Sequence, residues 1–289
     1  MKLGFIGIGT MGFPMSQNLL KKSGYSLMAY DLNRAAVEAL ASQGAQPVED
    51  ACQVADCCDV VFTMLPRDEH VRGVYQQLQE HIRPGQIYVD MSTISPAASC
   101  EVAELVRSHG ADLADAPVVK SQPAAVSGTL GIYVGGRKET YEAILPLLQC
   151  MGSNIIHLGG NGAGLVMKLC HNLLVAQVQN GVNEVLHLAQ AACGIDVETF
   201  AKAASYGGAQ TFYLDSKAAT LQKGDFTPAF AAEYMHKDLT LAQGLCQQAG
   251  LSLEGAELAM SRYDKVLEKG WGKEDFSCTY KLFDGEAHP

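Results

Sequence analysis

Short, almost wholly apolar runs alternate with stretches of helical spacing through the first half of the chain. The runs at 3–7, 26–31, 59–65 and 86–91 are apolar on successive residues, which predicts strands buried on both faces. Between them, 11–22, 34–43, 68–79 and 97–109 carry apolar residues at helical intervals, and several end at a glycine suited to a left-handed cap. That alternation predicts a mostly parallel, doubly wound α/β sheet covered by helices. Runs at 113–118, 129–134 and 154–158 predict further strands of the same sheet.

After the glycine-rich stretch HLGGNGAG the texture changes. From 165 to 193 there is no proline, one glycine (Gly181), and apolar residues on nearly every face, which predicts one helix about 40 Å long, buried between other elements. It opens an all-helical domain whose other helices are predicted at 196–205, 211–221, 231–249 and 254–269. The boundary falls near Gly162, giving an α/β domain over 1–161 and a helical domain over 162–289. The final FDGEAHP is predicted as a loose end.

Composition narrows the classes. With 48% hydrophobic and 18% charged residues in 289, the chain is expected to pack throughout, as two modest domains. A net charge of -10 supplies no basic stripe for a phosphodiester backbone, so nucleic acid is not an expected partner. The basic, apolar start is cut by glycines and lacks a small-residue cleavage site, and no run is long enough for a bilayer; a cytoplasmic protein without membrane contact is expected. Nine cysteines without paired spacing imply no metal site and are expected as reduced, small core residues, with Cys57 and Cys58 at the start of a strand.

Two constellations carry chemistry. LGFIGIGTMG sets Gly7, Gly9 and Gly12 directly after a strand and at the opening of a helix, the arrangement that holds a dinucleotide. The first glycine permits the turn, the second lets backbone approach a pyrophosphate, and the third lets helix pack on strand, while the helix N-terminus favours the anion. Asp31 ends the second strand, where a carboxylate accepts from a ribose 2′-hydroxyl and repels a 2′-phosphate. NAD is therefore expected over NADP, although Arg34 lies three residues on, and Asp31 could equally cap the helix that follows. In GAGLVMKLCHNLL, Lys168, His171 and Asn172 share one face of the long helix. A partly buried lysine is suited to proton transfer, whereas an isolated one on a helix is commonly a solvated side chain.

These pieces, in order with TMLP, VDMSTISP, DAPV, GTL…VGG and HKDLTLA, resemble the β-hydroxyacid dehydrogenase family, which includes 3-hydroxyisobutyrate dehydrogenase and tartronate semialdehyde reductase. The resemblance spans essentially the whole chain. It implies a Rossmann domain followed by an all-helical domain that begins with a long interdomain helix and packs against a second subunit, as a homodimer or homotetramer. It implies Lys168 as general acid/base and Asn172 as the residue that holds and orients substrate. Thr10, Met11, Leu65, Pro66, Thr93 and Lys237 match positions along the cofactor, and Ser92, Lys120, Ser121, His171 and Asn172 are expected on the substrate side.

The substrate loop departs from the family pattern. Relatives usually read Asp-Ala-Pro-Val-Ser-Gly-Gly, and this chain reads DAPVVKSQPAAVSGTL, with Val119, Lys120 and Ser121 in place of Ser-Gly-Gly. The loop is similar to that of sulfolactaldehyde reductases, so Lys120 is a candidate for a sulfonate, phosphate or carboxylate head group. The expected activity is transfer of a hydride between NAD(H) and a small anionic 3-hydroxy acid, or its sulfonate analogue, and the semialdehyde. Alternatives are a non-catalytic nicotinamide sensor or scaffold, an imine reductase, and a decarboxylating enzyme of the 6-phosphogluconate type, suggested by KLCHN. Imine reductases usually replace the lysine, and the third needs a longer helical part.

Overall fold

In the computed structural model, which describes residues 1–283, β1 (Lys2–Ile6) is flanked by β2 (Ser26–Tyr30) and β4 (Val60–Thr63). The sheet has nine strands. β3 (Gln46–Pro47), β2, β1, β4, β5 (Ile87–Asp90) and β6 (Asp112–Asp115) run parallel in that spatial order. β8 (Leu130–Gly135) joins β6 antiparallel, β7 (Val118–Val119) pairs antiparallel with β8, and β9 (Gly152–Gly159) lies parallel to β8. The helices between are α1 (Gly12–Lys22), α2 (Arg34–Ala41), α3 (Ala51–Cys57), α4 (Asp68–Leu78), α5 (Pro96–Ser108), α6 (Gln122–Ser127) and α7 (Lys138–Leu148).

Strand periodicity divides the core into two layers. Leu3 and Phe5 point to the side packed with Met15 and Leu19 of α1 and Val37 of α2. Ile6 points to the other, with Val54 of α3, Val71 and Tyr75 of α4, and Val102 of α5. Gly4 also faces that side because a Cβ there would meet Val54 Cγ1 at 2.1 Å. At the edge formed by β6 to β9, β8 and β9 run against the direction of the other strands, so the architecture is a mostly parallel, doubly wound sheet followed by helices.

The chain divides into two compact units, the first ending at Lys168 and the second beginning at Leu169. α8 (Ala163–Cys193) starts directly after Gly162, whose φ of 88° is glycine territory. The second unit continues with α9 (Val197–Ala204), α10 (Phe212–Lys223), α11 (Ala232–Gln248), α12 (Glu254–Glu268) and a 3-10 segment, Phe276–Phe283. Ala176 of α8 packs with Met235 and Leu239 of α11 and Tyr263 of α12, and Val182 and Leu186 pack with Tyr213 and Leu214. Asp275 knits the unit, accepting from Lys217 Nζ at 2.7 Å and from the backbone N–H of Ala229 at 3.0 Å.

Two expectations need correcting. α8 is not buried on all sides: Leu174 is 61% and Leu188 66% exposed, so apolar character alone did not mark burial within this chain. Nor are the cysteines uniformly core residues. Cys58, Cys150 and Cys278 are buried, but Cys57, Cys170 and Cys193 are exposed, because their helices turn those positions outward. Cys57 ends α3 and Cys58 follows it ahead of β4. Among the described residues, no helix is long and apolar enough to cross a membrane. The loose end expected at 283–289 lies, beyond Phe283, outside the described residues.

Candidate active site

The turn from β1 to α1 is shaped by what its glycines exclude. Gly7 has a φ of 97°, and a Cβ there would lie 2.3 Å from the Met64 carbonyl oxygen. A Cβ on Gly12 would lie 1.9 Å from the Gly7 carbonyl oxygen, so the third glycine is what lets α1 begin against the strand. Gly9 has nothing within 4 Å of its Cβ direction, and both Gly9 and Thr10 are exposed. Open space over a backbone turn at the start of a helix fits a pyrophosphate. Met11 and Leu65 are half-buried beside it and Pro66 is exposed.

Asp31 stands just past β2 and braces this turn. Its Oδ2 accepts from the Ile8 N–H at 2.5 Å and its Oδ1 from the Asn33 N–H at 2.7 Å. The helix-cap alternative is not what is observed, since the residue preceding α2 is Asn33. A carboxylate has about four acceptor sites, so these two bonds leave it able to accept from ribose hydroxyls. Arg34 turns away, donating to the Val48 carbonyl at 2.9 Å and pairing with the Glu49 carboxylate at 2.5 Å.

A second braced loop follows β4 and β5. The Ser92 hydroxyl donates to Asp90 Oδ1 at 2.6 Å and accepts from the Leu65 N–H at 2.8 Å. Ser92, expected on the substrate side, is fully buried and braces Leu65 from behind. Thr63 Oγ1 also donates to Asp90 Oδ1, at 2.8 Å. Burial pushes the Asp90 carboxyl up to about 6, against the bonds from Ser92 and Thr63. Thr93 is half-buried on the same loop.

Asp115, at the end of β6, anchors the start of α8. Its Oδ1 accepts from the Gly162 N–H at 2.7 Å and its Oδ2 from the Leu165 N–H at 3.0 Å, satisfying donors that a helix start leaves open. Burial lifts this carboxyl above its usual range despite those bonds. Gly135 and Gly164 make room for it, since a Cβ on either would come within 2.8 Å of a carboxylate oxygen. One helical turn beyond, Lys168 closes the first unit and is only 7% exposed. Sequence reading noted DAPV as a family motif and missed this anchoring role, whose partners lie almost fifty residues away.

In the second unit, Asn172 is 5% exposed and its Nδ2 donates to Asp238 Oδ2 at 2.6 Å. Asp238 Oδ1 lies 3.1 Å from Lys237 Nζ, so one carboxylate joins two residues nominated from sequence. His171 is half-buried. The substrate-loop residues belong to the first unit. Lys120 is exposed, with a φ of 68°, the one left-handed residue other than glycine among the described residues. Its Nζ donates to the Thr129 carbonyl at 3.0 Å, and Ser121 directly precedes α6 without a capping side-chain bond.

Both halves of the chain match known proteins. Residues 2–159 match the model of the NAD binding domain of 6-phosphogluconate dehydrogenase, and residues 162–283 that of the NAD-binding domain of NADP-dependent 3-hydroxyisobutyrate dehydrogenase. The chain is 37% identical to an NAD-dependent L-serine dehydrogenase of Pseudomonas aeruginosa, over 98% of each protein. It is 34% identical to 2-(hydroxymethyl)glutarate dehydrogenase of Eubacterium barkeri, covering 98% of this chain and 95% of the relative. Among solved structures, Mycobacterium tuberculosis 3-hydroxyisobutyrate dehydrogenase with L-serine superposes with a TM-score of 0.91 at 30% identity, over 97% of this chain and 98% of that one.

Proposed function

The chain belongs to the β-hydroxyacid dehydrogenase family, as a nicotinamide-dependent oxidoreductase acting on CH–OH, and from that premise we propose a specific reaction. The enzyme interconverts a small anionic 3-hydroxy acid and its semialdehyde, with NAD as cofactor and Lys168 as general acid/base. The observation that carries this reading is a lysine 7% exposed, one turn into a helix whose start is anchored by Asp115 in the same unit as the glycine turn.

Bound NAD supplies the hydride acceptor, and NADH the donor in reverse. Lys168 takes the proton of the substrate hydroxyl during oxidation and returns it to the carbonyl oxygen during reduction. Asn172 orients the substrate beside it. Gly9 and the start of α1 hold the pyrophosphate, Thr10, Met11, Leu65, Pro66 and Thr93 line the cofactor, and Lys237 meets its nicotinamide end. Asp31 accepts from the ribose hydroxyls. The engagement of Arg34 with Val48 and Glu49 supports NAD over NADP, because this guanidinium is then turned to other partners than a 2′-phosphate.

Lys120 selects the head group, with Ser121 and His171 on the substrate side. A left-handed lysine stands where family members usually carry a glycine, which supports a site adapted to an anion, carboxylate or its sulfonate analogue. We place the enzyme in the cytoplasm as a homodimer or homotetramer, with the exposed Leu174, Val185 and Leu188 of α8 on the shared face.

The test is NADH absorbance with L-serine, 3-hydroxyisobutyrate and a sulfonate semialdehyde, each with NAD(H) and NADP(H), for the intact protein and Lys168→Ala. Turnover is expected with NAD(H) and lost by at least about a hundredfold in Lys168→Ala, with NADH still bound. Unchanged turnover in that variant overturns the assignment.

A further inference from the structure

We infer that Asp238 is a positioning residue for this reaction, holding Asn172 by its amide nitrogen while its other oxygen pairs with Lys237. The inference rests on the reading of Asn172 as the residue that orients substrate.

Asp238 lies within α11, well away from either end, so it caps nothing in its own helix. It is 2% exposed, a depth at which a carboxylate is unfavourable unless paired and hydrogen-bonded. Its oxygens divide between two partners. Oδ2 accepts from Asn172 Nδ2 at 2.6 Å, a short charge-assisted bond, and Oδ1 lies 3.1 Å from the Lys237 ammonium, itself 13% exposed. Both partners are site residues by the reading above, and neither is a backbone group that the fold must satisfy.

The consequence is orientational. The two ends of an asparagine amide have nearly the same shape and opposite hydrogen-bonding character, so a neighbouring group decides which end faces which way. A carboxylate only accepts, and it therefore binds the nitrogen and turns the Asn172 oxygen to the other side. Without Asp238 the amide loses this bond, and Lys237 loses this ion pair.

A double-mutant cycle tests this with the full-length enzyme, NAD, and whichever of L-serine or 3-hydroxyisobutyrate it oxidises. Asn172→Ala and Asp238→Ala are each expected to lower kcat/KM roughly 10- to 100-fold. Their combination is expected to fall at least about fivefold short of the product of the two single losses, because the part of the Asp238 effect that runs through Asn172 is already gone while the part through Lys237 remains. NADH affinity stays unchanged in Asn172→Ala. Asp238→Asn, nearly isosteric, replaces the truncation in the cycle if Asp238→Ala does not fold. Losses that multiply in the double variant overturn the inference and leave the role of Asn172 standing. Undiminished turnover in Asn172→Ala overturns both.

Discussion

Asp90 ends β5 at 1% exposure, with three bonds on Oδ1 and none, among the described residues, on Oδ2, which is also buried. Burial raises its carboxyl from 3.8 to about 6, opposed by Ser92 and Thr63 and helped slightly by the charge of Asp115. The folded state thus binds this proton more tightly than the unfolded chain does. The associated stability is full below the unfolded value and is lost as pH rises through about 6. A shift of about two units corresponds to about 3 kcal/mol in all, of which about 1.4 kcal/mol falls between pH 5 and pH 8. Asp90→Asn removes the titration while keeping an acceptor for Ser92. Hydrogen exchange of the β4 and β5 segments, corrected for its intrinsic pH dependence, reports the opening free energy of this region. The intact protein should gain about 1.4 kcal/mol relative to Asp90→Asn on going from pH 8 to pH 5. Parallel pH curves for the two proteins would refute the reasoning.

Two further substitutions follow from the same geometry. Gly12→Ala places a methyl group 1.9 Å from the Gly7 carbonyl oxygen, so the turn must open; NADH affinity, by fluorescence titration, is expected to fall at least about tenfold, and an unchanged affinity would contradict the assigned cradle. Asp115→Ala strips acceptors from the buried N–H groups of Gly162 and Leu165, at about 1–3 kcal/mol each. Calorimetric melting should show the loss, and kcat should fall with it because the start of the helix carrying Lys168 is released.

Local chemistry determined much of this protein. The buried apolar runs and glycine punctuation of the first half specify strands and helices through near-neighbour sterics and periodicity, and β1, β2, β4, β5 and the helices after them appear within a few residues of expectation. The turn at Gly7, Gly9 and Gly12 was legible from its spacing after a strand, although only Gly12 answers a clash within the turn, with the Gly7 carbonyl; Gly7 answers the distant Met64 carbonyl and Gly9 faces open space. Short or interrupted elements were not legible. α3 has only seven residues, and α7 carries Pro146 inside it, so neither shows a clean helical period. The run at 113–118 divides between β6 and β7, which both pair with β8, because Pro117 between them has no N–H to give to the ladder.

The long-range bonds were decided by tertiary structure alone. Asp115 anchors α8 from 47 residues away, Ser92 braces Leu65 from 27, and Asp238 grips Asn172 from 66. Nothing in the sequence around an aspartate states which distant amide it will meet. Periodicity reports which way a side chain faces within its own element, whereas the partner of a buried charge is chosen by how the elements pack. That same packing sent Ser92 inward and turned Arg34 onto Glu49.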